Sequence, residues 1–425
     1  KIDLMFLTYR FLTTLIFPLL VIVIFFRKLI KKEDAKRYKE KFLLKEIDHV
    51  IKKPIWFHGA SIGEIKSVIP IIKYLINKNT KMTILITSVT LSSGKIIENE
   101  FKNFKNIHHQ YFPLDVPFLV NKFLKNWKPK LVVFIDSEIW PNFLFEIKKR
   151  NINLVLLNAR ITKKTFSRWK FFRKFSTELF SSFDICLAAS KDSYHNLLGL
   201  RAANVKFIGN LKYFSESENK IIIDKKLSDQ FNNYKVWCAT NTHKGEDEIC
   251  IQAHKEIKNI YNNILTIIIP RHIRRVNDIY KLCINHNLQT QILSGDDVLK
   301  KKVEIVIINT FGNLLRYYDY CNSVFIGKSL ISSLKLVGGQ NPLEAAQQGC
   351  KIYHGPYVYN FKEVYNYLQE AKISKSINNS KELSENIIKD FKDIKIKDFN
   401  EIKKLKLYGK TIFQETVGEL EKYIQ

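Results

Sequence analysis

The sequence is poor in the features that announce metal, disulfide or nucleotide chemistry. Its six cysteines, Cys186, Cys238, Cys250, Cys283, Cys321 and Cys350, never form a CxxC spacing. That argues against a structural zinc site or a disulfide framework and fits a reducing compartment. No Walker or GxGxxG pattern is present, so the commonest phosphate-cradling loops are missing. No repeat of solenoid length and no nucleic-acid module is visible. Acids are scarce: 41 Asp and Glu stand against 69 Lys and Arg, a net charge of +28. Such an excess suits nucleic acid, an acidic membrane or an acidic substrate. It also suits compositional drift toward lysine, so only local clusters carry a functional reading. What is abundant is apolar: 46% hydrophobic with 26% charged residues is the balance of a folded globular protein. A chain of 425 residues exceeds what one core usually organises, so two domains are expected.

Residues 4–26 form an apolar stretch whose only charged member is Arg10. A helix of about 20 apolar residues crosses the hydrocarbon core, and Pro18 is tolerable inside it. A transmembrane anchor over residues 1–27 is therefore expected. One rival is a signal peptide, weakened because no small-residue cleavage pattern follows Phe26; the other is a helix lying in the interface. A basic segment, 28–54, follows, in which Lys28, Lys31, Lys32, Lys36, Arg37, Lys39 and Lys41 extend the run begun by Arg27. The positive-inside rule keeps this flank and the body after it cytoplasmic. The same lysines would attract anionic headgroups.

Past residue 54, short apolar runs at 55–58, 82–87, 131–135, 154–157 and 205–208 alternate with helical patterns. A second series follows at 236–239, 264–270, 303–308, 323–327 and 351–354. Continuous Val/Ile/Leu runs separated by helices imply parallel sheets covered on both faces. The polar stretch 216–232 divides the two series. The expected fold is α/β, with two Rossmann-like doubly wound lobes over 55–215 and 233–395 and a helical segment over 396–425. Ligands bind at the carboxyl ends of such strands, so a cleft between facing lobes is expected. Several glycosyltransferases and some epimerases share this plan, and the architecture alone names no reaction.

Trp56-Phe57-His58-Gly59-Ala60-Ser61-Ile62-Gly63-Glu64 runs from a strand through a small-residue loop into a helix. Glu64 sits in the first turn, either as a carboxylate favoured by the helix dipole or as a general base with room around it. The dipole would lower its pKa unless burial compensates. Ile135-Asp136-Ser137-Glu138-Ile139-Trp140-Pro141-Asn142 ends another strand with paired acids, where open α/β sheets do chemistry. A Ser137 N-cap with Pro141 in the first turn explains the serine and proline but not the acids. Asn158-Ala159-Arg160 ends a third strand and opens a cluster of Lys163, Lys164, Arg168, Lys170, Arg173 and Lys174. Phe166, Trp169, Phe171, Phe172 and Phe175 are interleaved with it, and no acid lies between Ile161 and Phe175. This mixture suits a membrane interface or single-stranded nucleic acid, or is the solvated face of an amphipathic core helix. The adjacent anchor favours lipid over nucleic acid.

In the second series, Thr240-Asn241-Thr242-His243-Lys244-Gly245-Glu246 opens a helix whose start would bind phosphate. Pro270-Arg271-His272 offers Arg271 to a phosphate or carboxylate. In Gly338-Gly339-Gln340-Asn341-Pro342-Leu343-Glu344 the glycines permit backbone approach, Asn341 suits an N-cap and Pro342 suits N1. Glu344 would then cap the helix or grip a ribose diol.

Taken in order, these segments resemble the Kdo transferases, which attach 3-deoxy-D-manno-octulosonic acid to lipid A precursors. The resemblance continues through Gly209-Asn210-Leu211-Lys212, Gly355-Pro356 and Asn360-Phe361. It implies a GT-B fold, a CMP-Kdo donor in the second lobe, a lipid A precursor as acceptor at the first, and inverting transfer with no metal or other cofactor. It also implies a body on the cytoplasmic side of a cell inner membrane, partnered with an anionic membrane surface and not with nucleic acid. By resemblance Glu64 is the proton acceptor, and Glu138 and Lys212 stabilise the transition state. Pro270, Arg271, Phe311, Gly312, Asn313, Asn341, Pro342, Leu343 and Glu344 contact CMP. Lys163, Lys164, Arg168, Trp169, Lys170 and Arg173 form the surface facing membrane and acceptor. The chain departs from the family pattern at Asp136 and Asn313, where Glu is more usual, at Gln340, where His is, and in a longer loop over 332–337. A different GT-B enzyme, using a UDP-sugar on a lipid carrier, is the alternative.

Overall fold

The Val/Ile/Leu runs become two parallel sheets in the computed structural model, which describes residues 4–44, 53–214, 225–294, 297–310, 314–335, 337–393 and 399–424. The chain forms two compact units, Lys1–Phe214 with Gly409–Gln425, and Ser215–Tyr408. The first unit holds β1 (Ile55–His58), β2 (Ile84–Ser88), β3 (Ile107–Tyr111), β4 (Leu131–Ile135), β5 (Asn153–Ala159), β6 (Ile185–Ala188) and β7 (Val205–Phe207). Their order is β3-β2-β1-β4-β5-β6-β7. The second unit holds β8 (Lys235–Thr242), β9 (Ile264–Pro270), β10 (Thr290–Leu293), β11 (Ile305–Ile308), β12 (Ser323–Ile326), β13 (Lys351–His354) and β14 (Ser374–Ser376). Their order is β10-β11-β9-β8-β12-β13-β14. Each unit is thus a doubly wound α/β domain, as the alternating pattern requires. Part of the expected linker lies outside the described residues; its end enters a helix, Lys225–Phe231.

Strand order decides where ligands go. In each sheet the chain starts near the middle, winds to one side, then returns to build the other. The resulting crevices lie at the carboxyl ends of β1 and β4 in the first unit and of β8 and β12 in the second. Trp56 pins the first of these from below. It is fully buried, its indole N–H donates to the Thr87 hydroxyl at 2.8 Å, and Phe112, Phe123, Phe134 and Phe143 ring it.

The last helix, Phe399–Ile424, belongs to both units by sequence. Its second half packs on the first unit, where Phe413 stacks on Phe214 at 4.2 Å and Lys206 pairs with Glu419 at 3.0 Å. Gly409 permits this crossing, since any side chain there would strike the Tyr213 carbonyl.

The N-terminal helix, Leu4–Leu29, is long and apolar enough to cross a membrane, but it is not a bare span. Phe6 packs on Phe145, with ring centroids 4.2 Å apart, and Phe17 meets Phe118 edge-on. Tyr9 donates to the Asp115 carboxylate at 2.8 Å, Arg10 pairs with Glu146 at 3.3 Å, and Arg27 pairs with Glu33 at 2.6 Å. The opposite face leaves Leu4, Phe11, Leu15, Leu19, Phe26 and Leu29 more than half exposed. The basic run after it is also partly absorbed. Lys41 is buried on Glu33, and Arg37 pairs with Glu40 and Glu98, so these two cations do not face outward as the charge pattern suggests.

Candidate active site

The first-unit crevice gathers the acids that the sequence singles out. Glu64 stands at the third position of the helix Ile62–Lys78 and closes a capping box with Ser61. Its carboxylate accepts the Ala60 and Ser61 N–H groups at 2.5 and 3.1 Å and the Ser61 hydroxyl at 2.7 Å. Gly59 makes the room, because a side chain there would press on the Glu64 Cβ and on Ile135. The capping role and the space for chemistry therefore coexist. Three hydrogen bonds leave one of the roughly four acceptor positions of a carboxylate. Burial, then the nearby charges of Asp136 and Glu138, push the Glu64 pKa up, so desolvation outweighs the capping bonds.

Asp136 follows β4 in a left-handed conformation, φ 57°, as does Asn158 near the end of β5, φ 53°. Short polar side chains tolerate that region best. The two lock together: the Asn158 amide donates to Asp136, and its oxygen accepts the Leu211 N–H at 2.9 Å. Lys212 is thereby delivered to the crevice, with its ammonium 3.4 Å from Asp136.

Glu138 is gripped differently. Its Oε2 accepts the Trp140 indole N–H at 2.7 Å and lies 3.1 Å from His58 Nε2. His58 Nδ1 lies 2.9 Å from the Thr87 hydroxyl, which already accepts from Trp56. Because Thr87 Oγ1 already accepts from Trp56, its hydroxyl proton is free to donate to Nδ1, and the proton on Nε2 donates to Glu138. Burial raises the Glu138 pKa, but His58 and Trp140 more than offset it and hold the carboxyl below its usual range. Two neighbouring carboxyls are thus pushed apart, Glu64 toward a base that titrates higher and Glu138 toward a fixed anion.

Two assignments come from the structure alone. His58 closes the strand segment Trp56-Phe57-His58, but its partner Glu138 lies 80 residues away. Asp115 replaces the expected Ser137 cap: it accepts the Asn142 and Phe143 N–H groups at 3.2 and 3.1 Å, at the start of the helix Pro141–Lys149. Pro141 stands at N1 of that helix as expected. Asp115 is fully buried, and burial pushes its pKa up to about 6 despite these bonds.

In the second unit, Pro270 ends β9 and Arg271 follows it, exposed, its N–H on the Thr242 carbonyl at 3.2 Å. Gly339, at φ 95°, donates to the Lys328 carbonyl at 2.7 Å, and Asn360 donates to the Gly338 carbonyl at 3.0 Å. The helix Leu343–Gln347 starts one position later than expected, so Pro342 is its N-cap and not N1, and Asn341 lies just before the cap, accepting the Leu343 N–H at 3.2 Å. Pro342 and Leu343 are buried, and Glu344 is half-buried in the first turn. The helix start after β8 differs from the phosphate site that the sequence suggests. The helix Glu246–Lys258 carries Glu246, Asp247 and Glu248 in its first turn, negative charge where an anion was expected. Phe311, Gly312 and Asn313 lie outside the described residues.

The basic aromatic cluster divides along its helix. In Lys163–Phe171, Phe166 and Trp169 pack on the same core as Phe6, Tyr9 and Phe17 of the N-terminal helix. Lys163, Lys164, Arg168, Lys170 and Arg173 are exposed, as is Phe171, and none of the five enters an ion pair among the described residues. The amphipathic core helix and the outward basic face are both real.

Residues 36–215 match the family described as 3-Deoxy-D-manno-octulosonic-acid transferase (kdotransferase). A 3-deoxy-D-manno-octulosonic acid transferase of Rickettsia bellii is 31% identical over 379 residues, which cover 88% of each chain. Among solved structures, a glycosyltransferase from Rickettsia africae superposes with a TM-score of 0.56 at 15% identity, over 88% of this chain and 98% of its own. A UDP-N-acetylglucosamine 2-epimerase gives 0.56 at 13%, over 87% and 96%. The structural likenesses fix the GT-B-like, twin Rossmann plan and nothing more. The sequence relationship fixes the family, for this chain belongs to the 3-deoxy-D-manno-octulosonic acid (Kdo) transferases, a family of glycosyltransferases.

Proposed function

We propose that this enzyme transfers Kdo from CMP-Kdo to a lipid A precursor, with inversion and without a metal or other cofactor. The observation that carries the reading is the pair of oppositely shifted carboxyls, Glu64 and Glu138, at one crevice beside Lys212. A sugar hydroxyl is a poor nucleophile, and Glu64 would take its proton as the new bond to the anomeric carbon of Kdo forms. The bond from that carbon to phosphate breaks, and CMP leaves with the electron pair. Glu138, held anionic by His58, suits the positive charge that develops on the sugar, while Lys212 suits negative charge. Pro270, Arg271, residues 311–313 and residues 341–344 would hold CMP. Mixing the enzyme with CMP-Kdo and a tetra-acylated lipid A precursor should yield a product heavier by one or more Kdo units. Transfer from a UDP-sugar instead, with tighter binding of UDP than CMP, would favour the second GT-B reading.

The membrane part of the reading takes a specific form. Leaving the first unit to cross a bilayer would strip Asp115 of Tyr9 and Glu146 of Arg10. The polar contacts support a helix that stays docked and lies in one leaflet, its outward apolar face in lipid, with the exposed cations of the 163–173 segment toward anionic headgroups. With protein added outside anionic vesicles, a protease site fused ahead of residue 1 should stay cleavable from outside. Replacing Lys163, Lys164, Arg168 and Lys170 with Ala should weaken binding by about a thousandfold, at about 1 kcal/mol for each cation near the surface. Full protection of the fused site would favour a span.

A further inference from the structure

Lys328 lies on the loop that leaves β12, at the edge of the second unit's crevice between β8 and β12. Its backbone is fixed from two sides. The N–H donates to Glu246 Oε2 at 2.7 Å, and the carbonyl accepts from Gly339 at 2.7 Å. The residue is held at φ 60°, a left-handed conformation that glycine adopts more readily than lysine.

The side chain is half-buried and enters no ion pair among the described residues. Burial first, then the positive charge of Arg271, holds its ammonium below the usual lysine range. Arg271 stands at the end of β9, the strand next to β8. The neighbouring Arg275 differs, being committed to Asp247 and to the Thr242 carbonyl. Lys328 and Arg271 thus follow the carboxyl ends of β12 and β9, the two strands that flank β8, and neither enters an ion pair among the described residues. An anion received there would turn their repulsion into two charge-assisted contacts. The ammonium is compact and would meet a single oxygen, while the guanidinium would take two.

We propose that Lys328 is a further donor-binding residue which, together with Arg271, holds an anionic oxygen group of the nucleotide sugar, either its phosphate or the carboxylate of the sugar. The assignment rests on the CMP-Kdo reading above and adds a binding group to it. The carboxylate alternative would make Lys328 a determinant of sugar specificity, because neutral sugars lack that group.

The test uses the full chain in detergent, with Lys328→Gln and Lys328→Arg beside the wild type and thermal midpoints as the folding control. Titration with CMP and with cytidine, followed by steady-state kinetics with CMP-Kdo, separates the two sources. If the phosphate is held, Lys328→Gln raises the Kd for CMP at least about tenfold, the scale of one charged hydrogen bond, and leaves cytidine unchanged. If the carboxylate is held, the Kd for CMP stays put and the KM for CMP-Kdo rises by a similar factor, while the KM for the acceptor does not. Lys328→Arg keeps most of the affinity in either case. Wild-type enzyme that binds CMP, with Lys328→Gln matching it within twofold in both the Kd for CMP and the KM for CMP-Kdo, overturns the role of Lys328 alone. Wild-type enzyme that binds neither CMP nor CMP-Kdo overturns the donor reading and this assignment with it.

Discussion

Replacing Glu64 with Gln should lower kcat by about 10²–10⁴-fold, the usual worth of a positioned general base, while CMP binding stays intact. Gln is the informative substitution because it can still accept hydrogen bonds from Ala60 and Ser61, whereas Ala also removes the capping box, worth about 1 kcal/mol of stability. A base must be ionised to act. Since burial and the charges of Asp136 and Glu138 push the Glu64 pKa up, activity should climb with pH through that raised value. Glu138→Gln removes one of those charges. It should therefore move the acidic limb of the kcat profile to lower pH, even as it lowers the plateau. Robust turnover by Glu64→Gln, or an unmoved limb in Glu138→Gln, would remove Glu64 from the role of base.

Glu246→Ala should be the most damaging change to stability. This carboxylate is completely buried and gathers four backbone N–H groups. Oε2 accepts from His243 at 2.8 Å and Lys328 at 2.7 Å, and Oε1 from Ser329 at 2.8 Å and Leu330 at 3.0 Å. Each orphaned buried donor costs about 1–3 kcal/mol, so a total loss of about 3–5 kcal/mol is expected, with some relief from water entering the gap. Gln would offer one acceptor oxygen and turn an amide N–H₂ toward the other donors, so it should not rescue the loop. Hydrogen exchange reads the effect locally: the amides of Ser329 and Leu330 should lose protection first, with a fall in the thermal midpoint. Unchanged protection at those amides would mean the loop is held by something else.

Much of this was legible in the sequence, because the crevice loops are short and local. The small residues Gly59 to Gly63 and the acid at Glu64 follow one another at the helix start and are read there together, while the capping box that ties Ser61 to Glu64 comes from the structure. The central strands announced themselves as runs such as Leu131–Ile135 because both faces are buried. The strands that passed unseen were β3, β6, β10 and β14. Three of these are sheet edges, where one neighbour suffices and polar residues such as His108, His109 and Gln110 are admissible; β6, only four residues long, lies next to the edge strand β7.

Long-range partners were the other blind spot. A hydropathy window sees Leu4–Leu29 as one apolar rod, yet Tyr9, Arg10 and Thr13 share a side of it, and the helix turns that side toward Asp115, Glu146 and Asn142. Glu246 misled for the same reason. A helix start looks like an anion site until the chain far downstream, at Lys328–Leu330, supplies the N–H groups that claim its carboxylate.

The division of the last helix has a consequence for how the molecule is made. The chain leaves the first unit at Phe214 and returns to it at Gly409, so the second unit is an insertion within the first. As the polypeptide emerges from the ribosome, the second unit has its whole sequence in hand before the first does. Residues 409–425, which follow the second unit in the chain, bring Phe413 to Phe214 and Glu419 to Lys206. Until they arrive, the first unit must wait with an apolar flank uncovered, its N-terminal helix already made.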